Sequence, residues 1–117
     1  MRIGELGKLL EAVCIQDRFE EREVTFGYTS DLLSDVMANA TAGSALITIQ
    51  AHKNTVAVAT LTEIGAIVIC NNRPVPEDMI DAAREEGIAL FRTGRNQFVT
   101  SGRLFDALGR REEATSR

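Results

Sequence analysis

The sequence predicts an α/β protein of three layers, with a largely parallel sheet built from successive βα units. The first observation behind this fold class is a regular spacing of glycines, since 22 residues separate the neighbours among Gly43, Gly65, Gly87 and Gly109. The second is that each interval begins with a short apolar run, continues through a polar loop and ends in a stretch of helical character. A strand of about five residues, a loop, a helix of about ten residues and a terminating glycine fit such a unit. Consecutive βα units imply parallel strands joined by right-handed crossovers.

The chain ahead of the first spaced glycine predicts a terminal helix, two strands and a second, short helix. The strands are the segments "VCI" and "VTFGYTS", and the short helix follows in "SDLLSDVMANA", where Ser30 or Asp31 is placed to cap it. The terminal helix carries an aliphatic stripe at helical spacing, formed by Ile3, Leu6, Leu9, Leu10 and Val13. We expect this stripe to stay on the outside of the domain, where it would mark an interface between two copies of the chain.

The first two spaced intervals predict one helix each. In the first, "TVAVATL" alternates like a strand, but the glycine spacing favours a helix over residues 54–64 with Asn54 as its N-cap. In the second, Pro76 suits the first helical position. Glu77 and Asp78 follow it and suit the positive end of the helix dipole.

The third interval predicts a helix with an apolar face, capped by Thr100 or Ser101 and ended by Gly109. Its expected buried residues are Leu104, Phe105 and Leu108. The residues beyond it are charged and have nothing to bury, so we expect 111–117 to be a flexible tail. Residues 1–110 then form a single α/β domain, since a chain of 117 residues is long enough for one continuous core.

Composition and charge exclude several classes of protein. The 44% apolar and 26% charged residues are those of a globular protein. A net charge of −4 argues against a nucleic-acid partner, which needs a basic surface. No apolar run approaches the roughly 20 residues that span a bilayer, and the opening "MRIGELGKLLEAV" lacks the apolar centre of a signal peptide. We therefore expect a cytoplasmic protein with neither nucleic-acid nor membrane partners.

The reactive residue types give little support to catalysis. Cys14 and Cys70 stand among apolar neighbours, in "AVCIQ" and "IVICNN", which predicts buried, reduced thiols with a structural role. The single histidine and the absence of CxxC or HxxxH spacing predict neither a metal site nor a cofactor. The chain also contains no GxxxxGK[ST] phosphate loop, no GxGxxG after a strand and no GxSxG elbow. No catalytic residue is therefore assigned.

The residues that follow the predicted strands are the candidates for a binding site. In an open parallel sheet the carboxyl ends of the strands lie along one edge, and ligands bind in crevices there. The candidate ligand-binding residues are Ser30, Asp31, Gln50, His52, Lys53, Asn54, Asn71, Asn72, Arg73, Thr93 and Arg95. Several are basic, Arg92 lies beside them, and helix N-termini attract anions. The pattern suggests recognition of phosphate or carboxylate.

Other interpretations of the same residues stay open. Polar loops are ordinary where a chain meets water, and Asn54 could serve only as a cap. His52 could act as a base with Asp31 in a phosphoryl- or acyl-transfer enzyme, although no motif marks a nucleophile. A purely structural dimerisation adaptor is the remaining function that the sequence allows.

A family resemblance extends over most of residues 24 to 109. Its most specific part is "SDLLSDVM" followed by "GSALIT", within "TSDLLSDVMANATAGSALITIQAHKNTVAVATLTEIGAIVIC". It continues through "RPVPEDMIDAAREEGIALFRT" and, less distinctly, through "GRNQFVTSGRLFDALG". In these segments the chain resembles the DRTGG domain family, small α/β domains similar to the amino-terminal domain of HPr kinase/phosphorylase. The resemblance implies the fold of that amino-terminal domain.

The resemblance also implies a regulatory or assembly module that is often dimeric. Such domains occur beside CBS domains in some pyrophosphatases, in some phosphotransacetylases and as free-standing proteins, and no general activity is established for them. The phosphate loop of HPr kinase/phosphorylase belongs to its other domain, so the resemblance does not imply a kinase. No "DRTGG" string occurs here, and the corresponding strand-end positions are His52-Lys53 and Asn71-Asn72.

Residues and resemblance together lead to one functional interpretation. We interpret the chain as a cytoplasmic, non-catalytic regulatory module that works as a homodimer. Its expected partner is a small anionic metabolite or nucleotide, or another protein.

Overall fold

A computed structural model describes residues 1–116 of the chain, with side chains described as far as residue 109. The flexible tail predicted for residues 111–117 lies outside the residues with described side chains and stays a prediction. A 3-10 turn at Ile3–Glu5 precedes the helices α1 (Leu6–Leu10), α2 (Leu33–Asn39), α3 (Lys53–Leu61), α4 (Glu77–Glu86) and α5 (Gln97–Ser116). The strands are β1 (Val13–Gln16), β2 (Phe26–Thr29), β3 (Ser44–Thr48), β4 (Ala66–Ile69) and β5 (Ala89–Arg92).

The five strands form one sheet in the order β1-β5-β4-β3-β2. The strands β2, β3, β4 and β5 pair in parallel, so that Leu46 lies opposite Ile67 and Ile67 opposite Leu90. At one edge β1 runs antiparallel to β5. Every residue of β3 and β4 is buried, as expected for parallel strands that are covered on both faces. The predicted α/β fold with a largely parallel sheet is confirmed.

Helices cover both faces of the sheet and complete the predicted three layers. On one face α1 and α5 pack around Leu6, Ile47 and Leu104. On the other face α2, α3 and α4 enclose a second cluster that includes Val56 and Met79. No helix in the part of the chain that the structure describes has both the length and the apolar composition needed to cross a bilayer.

The terminal helix does not present the exposed stripe that the sequence predicts. Ile3, Leu6 and Leu10 are at most 2% exposed and belong to the core shared by α1, α5 and the sheet. Val13 is the first residue of β1 and not a helical residue, and it is 65% exposed. With only five residues, α1 uses its apolar side chains to cover the sheet. The argument for a dimer through this stripe is therefore wrong.

The alternating segment after β3 is the helix α3, as the glycine spacing predicts. Its buried residues are Thr55, Val56, Val58 and Ala59, because α3 packs between α2 and α4 over the sheet. The predicted N-cap is wrong by two residues. His52 caps the helix, since its Nδ1 accepts the N–H of Asn54 at 3.0 Å.

Helix α5 begins earlier and ends later than predicted. Its first turn is capped by Asn96, whose side-chain oxygen accepts the N–H of Val99 at 2.9 Å, and not by Thr100 or Ser101. The helix continues past Gly109. Of the residues expected to be buried, Leu104 is 1% exposed, Leu108 is partly buried, and Phe105 is 74% exposed.

The spaced glycines serve different physical purposes. Gly87 ends α4 in the left-handed conformation, with φ of 68°, and Gly43 precedes β3 with φ of 84°. Gly65 is needed for close packing, because a Cβ there would lie 2.9 Å from Cδ1 of Ile3. The left-handed residue after α3 is Glu63. The regular spacing therefore reflects the repeat of βα units, although the glycines do not all occupy the same kind of turn.

Replacing Gly87 by alanine tests the left-handed end of α4. A Cβ there meets no other atom within 4 Å, so the effect isolates the backbone conformation. We expect Gly87→Ala to lower the free energy of unfolding by about 1–2 kcal/mol. The matched control is Gly102→Ala inside α5, where a Cβ also has open space and helix propensity predicts a gain of about 0.5–1 kcal/mol. Urea denaturation measures the free energy of unfolding of both variants. Equal changes in the two variants would contradict the left-handed conformation assigned to Gly87.

Candidate functional site

The four parallel strands bring the predicted loops to one edge of the sheet, which we call the carboxyl edge. Along this edge the loops that follow β5, β4, β3 and β2 lie in that order. Helix α5 starts beside β5 and crosses one face toward β2, where the hydroxyls of Ser101 and Thr29 lie 2.6 Å apart. The convergence expected from the sequence is therefore present, and the first turns of α5 border it.

Asp31 is the polar centre of the β2 end of this edge. Its Oδ1 accepts three hydrogen bonds: from Oγ1 of Thr48 at 2.9 Å, from the N–H of Ile49 at 2.9 Å and from Nε2 of Gln97 at 3.0 Å. Thr48 is fully buried, and its Oγ1 also accepts the N–H of Gln50 at 3.0 Å. The carboxylate thus joins the loops after β2 and β3 to the start of α5.

Ser30 faces its own loop. Its Oγ accepts the N–H of Leu32 at 3.2 Å, in the turn that leads into α2. The hydroxyls of Ser30 and Tyr28 and the amide of Asn39 hold the pKa of Asp35 below its usual range. The hydrogen bond that the Tyr28 hydroxyl donates to Asp35 raises the pKa of Tyr28. Ser30 and Asp31 therefore shape this end of the edge through contacts within the chain.

The loop after β3 presents polar groups around the start of α3. Gln50, His52, Lys53 and Asn54 are all exposed there. Because Nδ1 of His52 accepts a backbone N–H, the neutral ring carries its proton on Nε2, which is then a donor toward solvent. The first turn of α3 contains no acidic residue. This end of α3 is therefore suited to a negatively charged group.

The "NNR" segment after β4 is a tight turn. Asn71 and Asn72 both have positive φ, of 59° and 50°, and the N–H of Arg73 reaches the carbonyl of Cys70 at 3.3 Å. Asparagine tolerates this left-handed conformation better than most residues. The N–H groups of Asn71 and Asn72 donate to the carbonyls of Arg95 and Thr93 at 3.0 and 2.8 Å. The turn is thus fixed to the next loop, and its exposed side chains are left for other contacts.

The loop after β5 points its cation away from the other loops. Arg95 forms an ion pair with Glu11, with Nε 2.9 Å from the carboxylate, and Arg103 lies 3.4 Å from the same group. The hydrogen bond and charge of Arg95 hold the pKa of Glu11 below its ordinary value. The buried Thr93 accepts the N–H of Arg95 at 3.2 Å. These two predicted site residues build the loop.

Two of the predicted cations are exposed and without an ion pair to any residue with a described side chain. They are Lys53 at the start of α3 and Arg73 after β4. They follow adjacent strands, so they flank the same part of the edge. The polar residues that sequence reasoning missed are Thr48, the last residue of β3, and Gln97, which no motif distinguishes.

In the part of the chain that the structure describes, His52 and Asp31 form no hydrogen bond or ion pair with each other. Asp31 Oδ1 is bonded to Thr48, Ile49 and Gln97, and Nδ1 of His52 is occupied by a backbone N–H. The ring therefore has no free lone pair in its neutral form. This geometry does not favour a general base.

The two cysteines differ, contrary to the prediction that both are buried. Cys70 is fully buried, with its thiol 3.5 Å from Oγ1 of Thr100, and burial raises its pKa. Cys14 is exposed, because the edge strand β1 turns it outward. Desolvation, followed by the charge of Asp17, raises the pKa of Cys14 as well. Both thiols are therefore weaker nucleophiles near neutral pH than a free cysteine.

Removing the Asp31 carboxylate tests the hydrogen-bonded centre. We expect Asp31→Ala to lower the free energy of unfolding by about 2–3 kcal/mol, because it leaves donors of Thr48, Ile49 and Gln97 without their acceptor. Asp81→Ala is the control, since Asp81 is exposed and, among the residues with described side chains, pairs only with Arg84 at i,i+3, a contact worth about 0.5 kcal/mol. Equal destabilisation of the two variants in urea would show that Asp31 does not organise the loops.

Thiol titration of the native protein tests the difference between the cysteines. We expect one thiol to react, slowly at neutral pH and faster as pH rises toward the raised pKa of Cys14. The second should react only in denaturant, since Cys70 is buried. Cys14→Ser should abolish the native reaction and Cys70→Ser should leave it unchanged; the reverse pattern would contradict the assigned exposures.

Comparison with known proteins supports the fold. No family model matches the sequence, and no curated protein is significantly similar to it. Among solved structures, the chain is similar to the CBS and DRTGG domains of the regulatory region of Clostridium perfringens pyrophosphatase, complexed with its activator, diadenosine tetraphosphate. The TM-score is 0.67 at 11% sequence identity, over 86% of this chain and 44% of that chain. The chain thus spans less than half the length of that structure. At this identity the likeness shows a DRTGG-related α/β fold.

Proposed function

We propose that this chain is a non-catalytic regulatory module that binds a small anionic ligand, a nucleotide or another phosphorylated metabolite, at the carboxyl edge. The observation that carries the proposal is the pair of exposed cations, Lys53 and Arg73, on loops that follow the adjacent strands β3 and β4. We place the module in the cytoplasm and propose that it works as a homodimer.

The helix starts along the edge favour one position for the anion. The first turn of α3 has no acidic residue, whereas the first turn of α4 carries Glu77 and Asp78. The partial positive charge of a helix N-terminus attracts an anion only where acidic side chains do not already neutralise it. We therefore place the anion beside α3, between Lys53 and Arg73.

Neutral donors complete the proposed site. Nε2 of His52 and the side-chain amides of Gln50, Asn54, Asn71 and Asn72 are exposed on the same two loops. Amide groups can both donate and accept, which suits a nucleobase or a sugar beside a phosphate. Asp31, Ser30 and Thr93 hold the loops in place, and Arg95 is paired with Glu11.

The solved structure that resembles this chain supports the regulatory interpretation. It is the regulatory region of an enzyme, and its activator is a dinucleoside polyphosphate. A module with the same fold and two free cations at its carboxyl edge is suited to a ligand of that chemistry. The alternative of a phosphoryl- or acyl-transfer enzyme has less support, because Nδ1 of His52 is occupied and Asp31 is bonded elsewhere.

Thermal denaturation with a panel of anions tests the proposal. The panel contains diadenosine tetraphosphate, ATP, AMP and inorganic phosphate. A ligand at ten times its Kd should stabilise the folded chain by about 1.4 kcal/mol, which raises the Tm by several degrees. Lys53→Ala combined with Arg73→Ala should remove the shift without loss of fold, since both side chains are exposed.

A matched variant controls for the change of net charge. Lys8 and Arg18 are exposed cations away from the carboxyl edge, and replacing both by alanine removes the same charge. We expect this control to keep the full ligand-induced shift. If no member of the panel raises the Tm of the wild type, the proposed ligand class is wrong. If the ligand-induced shift is lost equally in both double variants, the shift reflects net charge and not a site at the carboxyl edge.

A further inference from the structure

We propose that two copies of this chain associate through the free edge of β2, with Phe105 of each copy entering the groove between β2 and α5 of the other. The inference rests on the homodimer of the proposed function and identifies its surface. It starts from β2, which pairs with β3 on one side and with no described strand on the other. An unpaired edge strand presents backbone N–H and C=O groups to any strand that can approach it.

The β2 strand contains no charge, proline or bulge that would hinder pairing. Its sequence is "FGYT", with no charge, no proline and no irregularity in its register with β3. The opposite edge differs, because β1 has a register shift between Cys14 and Gln16. Natural sheets use charges and bulges to prevent edge-to-edge association. The contrast indicates that the β2 edge, unlike the β1 edge, is open to pairing with another strand.

Beside this edge lies an apolar groove of about 190 Å³ between β2 and α5. Its floor includes Gly27, Ile47 and Leu104, and a Cβ at Gly27 would lie only 2.8 Å from Cδ2 of Leu104. Among the residues with described side chains, none that lines the groove is charged. A cavity of about 150 Å³ with apolar walls accepts a benzene molecule. The groove is therefore large enough for one phenyl ring.

Exposed apolar side chains concentrate in the elements around this edge. Among the residues with described side chains, seven large hydrophobic ones are exposed. Five of them belong to β2, α5, α2 or the loop before α2: Phe26, Leu32, Met37, Phe98 and Phe105. Phe105 is 74% exposed and borders the groove. Phe26 and Phe105 both line the groove, and exposed aromatic side chains beside an apolar groove are typical of an interface.

A second copy of the same chain fits this surface better than a foreign segment. The surface carries both a protruding ring and a cavity for one, which is what a two-fold interface requires of each partner. The chain has a net charge of −4, so an uncharged face lets two copies approach without placing like charges in direct contact. The groove and the β2 edge provide such a face.

The two-fold arrangement also satisfies the backbone. The N–H of Ser30 donates to the carbonyl of Ile47, and in this parallel register the backbone groups of Gly27 and Thr29 face away from β3. Antiparallel pairing of the two β2 strands would bond these groups and extend the sheet across the axis. The axis then runs perpendicular to the sheet, which places both α5 helices on the same side. Phe105 of one copy thereby faces the groove of the other.

Light scattering after gel filtration, without ligand, tests the interface. The wild-type protein should have twice the chain mass of 12.8 kDa. Phe105→Glu should raise the Kd of the dimer at least tenfold, because it puts a charge into both of the apolar contacts that the axis relates. Phe26→Glu on the strand itself is the second variant. Leu61→Glu, at a side chain that is 71% exposed on α3, is the matched control and should leave the mass unchanged.

Hydrogen exchange of the backbone provides an independent measurement. The amides of Gly27 and Thr29, which face away from β3, should exchange slowly in the wild type and much faster in Phe105→Glu. A wild-type mass of one chain, or a dimer that Phe105→Glu and Phe26→Glu leave intact with fast-exchanging β2 amides, would overturn the proposal. The ligand-induced rise in Tm separates the two proposals. If the wild type is a monomer and still shows the rise, the binding module stands and this interface does not.

Discussion

The complete burial of β3 and β4 is the constraint on which the rest of the fold depends. Strands with apolar side chains on both faces need cover on both sides, and their parallel direction requires a crossover between each pair. The helices α2, α3 and α4 cover one face, while α1 and α5 cover the other. The polar loops of the crossovers are then forced to the ends of the strands, and the carboxyl edge follows from the same constraint that builds the core.

Much of this architecture could be read from the sequence because it repeats. The spacing of Gly43, Gly65 and Gly87 follows from βα units of equal length, and the parallel sheet follows from the units. Features that depend on one tertiary contact could not be read in the same way. The five residues of α1 look like one side of an outer helix, yet they cover the sheet, and Phe105 looks like core although it lies outside the buried stripe of α5.

The candidate site shows the same limit at the level of side chains. Strand ends converge wherever strands are parallel, so the residues of the carboxyl edge could be assigned from the order of elements. Their partners could not, because Asp31 is bonded to Gln97 and Arg95 to Glu11 across long stretches of sequence. The sequence alone places five basic or potentially basic residues on one edge, namely His52, Lys53, Arg73, Arg92 and Arg95. The structure pairs Arg95 with a carboxylate and turns Nδ1 of His52 to the backbone, which leaves fewer charges for a ligand.

The long reach of α5 has a consequence for how the protein is made. Asp31 and Gln97 are separated by 66 positions, and Thr29 and Ser101 by 72. A ribosome that synthesises the chain from its amino terminus completes β2, β3 and β4 before α5 exists. During that interval the side of the sheet that includes Ile47 lacks its last helix, and the β2 loop lacks the amide that holds Asp31. The nascent domain therefore passes through a state with open apolar surface, of the kind that molecular chaperones bind, until its final helix is released.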